Sequence, residues 1–336
     1  MNLVISERGT FLALRSERLQ LRHPTQETQE VALRDLESVS VTTTACTLSA
    51  EAIRACAKFG VQIDLLDGLG APYAKFSSPY LVGTVSTRRA QMQAYLTPTG
   101  IEVARHAIRA RLRNQASLLK YFGKYRREAD PAAFSAIQLA LPRLSSLETE
   151  LDSIQGTQID EVRDYLLGVE GRGGVAYWGA VAAMLPAELQ FPGRLGRGAT
   201  DLANMTLNYG YGILYARTAG VLATAGLEPF AGFLHTDRPG KPSLVLDFVE
   251  GFRACVVDRS VLAALGRGWR PELDEHGKLA PETRKRIAES VHARLDARDT
   301  VGGKRYRLQN IMVKQARSLA TYLRGEGDYP VYVASW

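Results

Sequence analysis

Residues 232–253, GFLHTDRPGKPSLVLDFVEGFR, place His235 before a predicted helix that carries the carboxylates of Asp247 and Glu250 and the guanidinium of Arg253. A helix would place Asp247 and Glu250 on one face, inside an otherwise apolar run. Carboxylates beside such a run are costly unless a positive group compensates. With His235 as a further ligand, a divalent ion such as Mn²⁺ or Mg²⁺ would suit this donor set, and Arg253 could contact a phosphate or pair with Glu250. The alternatives are a hydrogen-bonded core histidine and an amphipathic surface helix.

A second candidate is Glu170, the one acid in GVEGRGGVAYWGAV at 168–181. Four glycines lie within four residues of it, although each glycine inside a helix costs roughly 1 kcal/mol relative to alanine. In a helix, Glu170 and Tyr177 share one face. Small neighbours would let another backbone or a ligand come close to the acid. The alternative is tight helix packing beside a solvated surface acid.

A third stretch, TDLANMTLNYGYGILYA at 200–216, carries a polar and aromatic stripe at helical spacing. Its members are Asn204, Asn208, Tyr211 and Tyr215. Such a stripe could hydrogen-bond catalytic groups or stack on bases. Internal packing with satisfied hydroxyl groups is the competing interpretation.

Positive charge is concentrated in two segments. Residues 104–127 hold eight Lys and Arg and no acid, and residues 281–324 hold eleven Lys and Arg and four acids. Such clustering is typical of a polyanion-binding surface, and the competing interpretation is pairing with acids on other helices. The side chains predicted to bind DNA phosphates are Arg105, Arg109, Arg113, Arg305, Arg307, Lys314 and Arg317.

The composition excludes several classes of protein. The 336 residues are 46% hydrophobic, which is ordinary for a globular chain. A run long and apolar enough for a membrane span is absent from the sequence, and residues 1–11 lack the apolar core of a signal peptide. Cys46, Cys56 and Cys255 are odd in number and lack CxxC spacing, which argues against disulfides or a zinc knuckle. We therefore expect a cytoplasmic protein with reduced thiols.

The pattern of elements predicts an α+β chain. Short alternating runs predict a small β-rich domain over residues 1–80, with one helix capped by Ser49 and ended by Gly60. Residues 81–90 are expected to be a linker. Residues 91–336 have helical periodicity and predict an all-α catalytic domain, with a break near Pro142.

These stretches together resemble the CRISPR-associated integrase–endonuclease family of the spacer-acquisition complex, which inserts new spacers into a repeat array. In the C-terminal half the resemblance is carried by the glycine-flanked Glu170 with Tyr177–Trp178, then TDLANMTLNYGYGILYA, GLEPFAGFLH, LDFVEGFR and VVDRSVL. In the N-terminal half it is carried by LSAEAIRACAKFGVQIDLLDGLG, RRAQMQAY and ARHAIRARLRNQASLLKY. Order and spacing agree, and the resemblance covers essentially the whole chain.

The resemblance implies a metal site. Glu170, His235 and Asp247 match the family's ligands for Mg²⁺ or Mn²⁺, and Glu250 is expected close to the metal. We expect Tyr177 and Arg253 among the catalytic residues. The implied reaction is attack of a DNA 3′-hydroxyl on a phosphodiester, with hydrolysis when water is the attacker.

The resemblance also implies partners. These are spacer-precursor and repeat DNA, a second copy of the chain joined through the N-terminal domain, and a small ferredoxin-like second subunit. Two other functions remain open, a structure-specific DNA repair nuclease and a non-enzymatic DNA-binding scaffold. The presence of all three expected ligands argues against the scaffold.

Overall fold

The computed structural model describes residues 1–78, 85–196 and 198–335. The first of these ranges is built mainly of strands, with one helix, Ala50–Phe59 (α1). The strands are Asn2–Ile5 (β1), Thr10–Arg15 (β2), Arg18–His23 (β3), Gln26–Ala32 (β4), Ser38–Val41 (β5), Cys46–Leu48 (β6), Gln62–Leu66 (β7) and Pro72–Phe76 (β8).

The strands form two four-stranded sheets around one core. The first has the order β1-β5-β7-β8, with β1, β5 and β7 parallel, and the second has the order β4-β3-β2-β6. Leu3, Val39 and Ile63 are in register across the first sheet. They meet Leu12 and Leu19 of the second sheet in this core. Successive side chains of a strand point to opposite faces, so the side chains that point inward from the two sheets form the core of this region.

Helix α1 begins and ends as its sequence predicts. The Ser49 side chain accepts a hydrogen bond from the Ala52 N–H at 3.1 Å, which satisfies one free donor of the first turn. Gly60 ends the helix with φ +73°, a left-handed conformation that glycine adopts without strain.

The later part of the chain is mainly helical, so the predicted α+β class is confirmed. A wider π turn, Ala254–Asp258, lies within one continuous helical run between the eighth and ninth helices. The helices are Val85–Ala94 (α2), Pro98–Gly123 (α3), Arg126–Ala129 (α4), Pro131–Asp152 (α5), Arg163–Met184 (α6), Leu202–Thr224 (α7), Ser243–Arg253 (α8), Arg259–Gly266 (α9), Pro281–Asp296 (α10) and Leu308–Leu323 (α11).

Helix α3 is the axis of the helical part and packs against α5, α6 and α8. Asn114 on α3 is fully buried and joins three segments. Its Nδ2 donates to the carbonyls of Gly251 at 3.0 Å and Tyr332 at 2.8 Å, and its Oδ1 accepts from the Ala334 N–H at 2.8 Å. Residues 329–335 are thereby fastened along α3 and α8.

The two parts of the chain touch closely between α7 and the N-terminal sheet. A side chain at Gly212 would overlap the carbonyl oxygen of Gly70, so only glycine allows this approach. Gln62 on β7 donates to the carbonyl of Ala216 on α7 at 3.3 Å. Polar contacts as well as packing therefore hold the parts together.

Three details differ from the sequence-based expectation. The second part is not all-α, because Arg298–Val301 (β9) and Lys304–Arg307 (β10) form an antiparallel hairpin. Helix α5 continues through Pro142 without ending there. Of the expected linker, residues 81–84 lie outside the described residues, and residues 85–90 belong to α2. None of the described helices is long and apolar enough to cross a bilayer.

Candidate active site

A polar cavity of about 120 Å³ opens between α3, α6, α7 and α8. The long helices supply most of its wall, and the π turn and the loop before α7 supply the rest. It is lined by Arg111, Gln115, Glu170, Trp178, Arg194, Tyr211, Glu250, Arg253, Ala254 and Asp258.

One guanidinium holds two carboxylates at this cavity. Arg111 Nη1 lies 2.9 Å from Glu250 Oε2 and also contacts Glu170 Oε1. Glu170 comes from α6 and Glu250 from α8, so the contact joins three helices. The side chains of Arg111 and Glu170 are 10% and 20% exposed, which leaves the cluster open to the cavity on one side.

The glycines around Glu170 divide into two kinds. A Cβ at Gly174 would lie 3.1 Å from Arg111 Nη2, and one at Gly173 would lie 2.5 Å from a leucine of α3. These two let α3 and its arginine come close to α6. A Cβ at Gly168 or Gly171 would meet nothing within 4 Å. At these two positions, no contact with another described residue requires a glycine.

Glu250 is an ionised carboxylate in a buried place, with a side chain 1% exposed. Burial alone would raise the pKa of this carboxyl, but Arg253 and Arg111 outweigh it and hold the pKa below its ordinary value, with a smaller contribution from His235. Arg253 Nη1 lies 2.8 Å from Glu250 Oε1. This oxygen nevertheless makes no hydrogen bond of adequate geometry to any described residue.

Asp247 has a different role in the structure. Both of its oxygens are used, because they accept the backbone N–H groups of Phe233, Leu234 and His235 at 2.6–3.0 Å. His235 Nδ1 lies 2.7 Å from Asp247 Oδ1. A carboxylate that accepts three amide donors is the acceptor here too, so Nδ1 carries a hydrogen and Nε2 is the nitrogen left for another partner.

The predicted metal ligands therefore fall into two pairs. Glu170 stands with Glu250 at Arg111, and His235 stands with Asp247. Across residues 1–78, 85–196 and 198–335, no three His, Cys, Asp or Glu side chains are arranged as a metal site. The two pairs are linked through α8, where Asp247 and Glu250 lie three residues apart, and His235 contributes to the lowered pKa of Glu250.

Tyr177, predicted as a catalytic residue, lies behind the cavity wall. It is 0% exposed, and its hydroxyl donates to Asp258 Oδ2 at 2.8 Å. The Tyr211 hydroxyl contacts the other oxygen of the same carboxylate. Burial raises the pKa of Asp258, and the two hydroxyls act in the opposite direction. Asp258 was missed in the sequence because it lies in the π turn, beyond the acidic helix.

The predicted polar stripe on α7 holds two arginines at the cavity. The Arg253 guanidinium lies 5.2 Å and 5.4 Å from the ring centres of Tyr211 and Tyr215, and it donates to the Tyr215 hydroxyl at 2.5 Å. Arg194 lies over Tyr211 and Trp178, at 5.0 Å and 5.8 Å. Arg194 also donates to the two asparagines of the stripe, Asn204 and Asn208.

The basic side chains predicted on α3 face acids of α5 and nearby backbone. Arg113 is 2.6 Å from Glu148, and Arg109 contacts Asp152. Arg105 is largely buried and pairs with Glu102 at 2.8 Å. The guanidinium groups that the sequence predicted to bind DNA phosphates are therefore already engaged in contacts within the protein.

The C-terminal basic side chains are more accessible. Arg307 pairs with Glu37 at 3.0 Å. Arg305, Lys314 and Arg317 are exposed, and within the described part of the chain none of these three forms an ion pair. The hairpin and α11 therefore present the freer positive charge.

Comparison with known proteins identifies the family of this fold and site. Residues 3–293 match the family model described as CRISPR associated protein Cas1. The chain belongs to the CRISPR-associated Cas1 family. A Cas1 relative, "CRISPR-associated endonuclease Cas1 1" of Archaeoglobus fulgidus, is 34% identical over the full length of both chains. Another Cas1 relative, from Francisella tularensis subsp. novicida, is 28% identical over 100% of this chain and 99% of its own.

Solved structures show the same fold. A casposase bound to an integration product superposes with a TM-score of 0.80 at 24% identity, covering 98% of this chain and 94% of that one. A Cas1 protein from Thermotoga maritima superposes with a TM-score of 0.79 at 17% identity, covering 99% of each chain. The strand-rich first part followed by a helical part is thus the Cas1 architecture.

Proposed function

We propose that this chain is a metal-dependent DNA strand-transfer enzyme of CRISPR spacer acquisition, and a DNA endonuclease when water replaces the attacking 3′-hydroxyl. Membership of the Cas1 family supports this, as do relatives named as endonucleases and the fold shared with a casposase bound to an integration product. The observation that carries the proposal is the cavity lined by Glu170 and Glu250, with the pair of Asp247 and His235 one helical turn from Glu250 along α8.

The two carboxylates and the imidazole suit a hard divalent cation chemically, with one change from the sequence-based ligand set, and they would have to move together on binding, because no three such side chains among the described residues already form a metal site. We propose Glu170, Glu250 and His235 Nε2 as ligands. Glu170 Oε1 and Glu250 Oε2 converge on one atom, Arg111 Nη1, so two anionic oxygens from different helices already meet at a single positive group. Asp247 is assigned to orienting His235, because both of its oxygens already accept hydrogen bonds.

When bound, Mg²⁺ or Mn²⁺ would polarise the scissile phosphodiester and stabilise charge on the leaving oxygen. Other side chains of the protein fix the groups that surround the proposed metal site. Asp247 fixes the tautomer of His235, and the hydroxyl groups of Tyr177 and Tyr211 hold Asp258 in the cavity wall. Arg194, whose guanidinium stacks on aromatic rings at the cavity, is placed to bind a DNA phosphate. A covalent protein nucleophile is not needed, because a hydroxyl group or water attacks directly.

We further propose DNA, a second copy of this chain and a small ferredoxin-like subunit as partners. A chain of similar fold belongs to a Cas6-RT-Cas1–Cas2 complex, with a TM-score of 0.75 at 20% identity over 99% of this chain and 36% of that one. The exposed charges of the hairpin and α11 are the proposed phosphate contacts outside the cavity.

The test uses a labelled duplex with either 3′-hydroxyl or 3′-dideoxy ends, a repeat-containing target and Mg²⁺ or Mn²⁺. We expect joined products only with 3′-hydroxyl ends and none in excess chelator. Glu170→Gln, Glu250→Gln and His235→Ala should each lower the rate at least about 100-fold, since removing a metal ligand costs about that much or more. Glu148→Gln, an acid outside the cavity, is the matched control.

The outcomes separate the alternative functions. Cleavage of branched DNA without joining would favour a repair nuclease. Binding of DNA with neither reaction would favour a scaffold. Full strand transfer by a folded Glu250→Gln variant would refute the ligand set proposed here.

A further inference from the structure

The contacts of Arg111 are unevenly shared. A single atom, Nη1, serves both Glu170 and Glu250. Arg111 Nε is buried and has no hydrogen-bond partner among the described residues. A guanidinium has five donors in a planar fork, and this one directs a single nitrogen at two carboxylates. Arg111 is therefore held by charge more than by a matched set of hydrogen bonds.

Arg253, the other arginine at Glu250, is held differently. Its guanidinium lies against the rings of Tyr211 and Tyr215 and donates to the Tyr215 hydroxyl. These contacts remain whatever binds Glu250. Both arginines pair with one carboxylate, and the Nε of each is buried without a hydrogen-bond partner among the described residues, but only Arg253 also packs on two aromatic rings and donates to a tyrosine hydroxyl.

The charge of Glu250 makes a cation necessary at this place. A buried carboxylate stays ionised only if a positive group neutralises it. Arg111 contacts Glu170 and Glu250 together, which is the position from which a divalent cation would also contact both. Two positive groups cannot occupy that position at once without strong repulsion.

We infer that Arg111 is an exchangeable counter-ion, which neutralises Glu170 and Glu250 in the metal-free protein and is replaced there by a divalent cation. The inference rests on the proposed function, because it assumes that these two glutamates bind the metal. The exchange lets the site stay folded and ionised without metal. It also sets the metal affinity, because the cation must compete with the guanidinium.

The test measures Mn²⁺ binding by calorimetry and electron paramagnetic resonance, and melting temperature in chelator or Mn²⁺. In chelator we expect Arg111→Gln to melt roughly 5 °C or more below the wild type, because Glu250 loses a neutralising charge. Mn²⁺ should restore most of that loss. The variant should bind Mn²⁺ about tenfold or more tightly than the wild type, since the competing charge is gone.

Arg253→Gln is the matched control, because it also removes a cation from Glu250. It should melt lower than the wild type, and Mn²⁺ should restore it less fully, because the metal cannot replace the packing of the guanidinium on Tyr211 and Tyr215. Arg111→Lys keeps the charge and should bind Mn²⁺ with intermediate affinity, which provides a readout if Arg111→Gln does not fold in chelator.

Two results would overturn the inference, and they have different meanings. If the wild type binds Mn²⁺ and neither Arg111 variant binds it more tightly, Arg111 is a permanent structural partner and only this inference fails. If neither the wild type nor the variants bind Mn²⁺, the metal site of the proposed function fails as well.

Discussion

Asp247 and Glu250 are both almost fully buried on α8, yet they have different neighbours. Asp247 receives neutral N–H donors from one loop and the ring of His235, whereas Glu250 receives two guanidinium groups from α3 and its own helix. Neutral donors arranged around one carboxylate fix a loop. Charged donors around the other balance a charge that a metal ion can also balance.

The contacts of Asp247 predict a loss of fold rather than a folded, inactive enzyme. Asp247→Ala leaves three buried N–H groups without an acceptor, and we expect stability to fall by roughly 3 kcal/mol or more. Urea denaturation measures this change. Glu170→Gln, at a side chain that is 20% exposed, should cost much less. Equal stability of the two variants would show that Asp247 does not hold the loop before α8.

The three cysteines should differ in reactivity. Burial raises the pKa of Cys56 to about 11 and that of Cys255 to about 12, so near pH 8 both remain thiols. Cys46 is partly exposed. We expect iodoacetamide to modify Cys46 first and the other two cysteines only in urea, and mass spectrometry can follow the modification. A variant with all three cysteines replaced by serine should keep catalysis. Rapid modification of native Cys255 would contradict this.

Among the elements, the π turn places Asp258 at the cavity. A wider turn advances the chain through a smaller angle per residue than an α-helix does. The residues at 250, 254 and 258 therefore stay on one side, and all three line the cavity. In an uninterrupted α-helix, Asp258 would be turned away from the line of Glu250.

Local signals in the sequence predicted the elements, whereas contacts across the chain were not predictable. Ser49 and Gly60 predicted the two ends of α1, and helical periodicity in the sequence predicted the long helices. The hairpin turn at Gly302 and Gly303, both with positive φ, was present as a signal but lay within a strongly basic segment. Arg111 and Glu250 are 139 residues apart, so no local pattern joins them.

The two groups of basic side chains should respond differently to neutralisation. Arg305→Gln with Arg317→Gln should lower the log–log salt slope of DNA binding by about 0.7–0.9 for each phosphate that the protein no longer binds. Arg109→Gln with Arg113→Gln should mainly lower the melting temperature, because these side chains pair with acids of α5. Affinity against salt and thermal melting measure the two effects. If only the variant with Arg109→Gln and Arg113→Gln had a reduced salt slope, DNA would bind along α3 instead.

At the scale of the whole molecule, the N-terminal sheet and the helices meet through buried polar groups. Gln62 Nε2 lies 2.5 Å from Asp64 Oδ1 and also donates to α7. Burial raises the pKa of Asp64 to about 6, although Gln62, Lys75 and Arg217 act in the opposite direction. The junction between the two parts therefore holds a carboxyl group that binds its proton more tightly when folded.

This carboxyl predicts a pH dependence of stability. The ordinary pKa of an aspartate is 3.8, so the folded chain binds more protons than the unfolded chain between about pH 4 and pH 6. Stability should fall as pH rises through that range and stay lower above it. Asp64→Asn should remove this contribution and gain roughly 3 kcal/mol at pH 7. Urea midpoints across pH measure it, with Asp164→Asn on the exposed start of α6 as control.

The contacts of Asn114 have a consequence for the order in which the chain folds. Its partners Tyr332 and Ala334 are 218 and 220 residues further along. During synthesis, α3 leaves the ribosome long before residues 329–335 are made. Until then its buried amide lacks two of its partners, which is unfavourable in an apolar interior. The helices around α3 should therefore reach their final packing only after residues 329–335 have been made, and a nascent chain halted before residue 329 should remain accessible to chaperones and proteases.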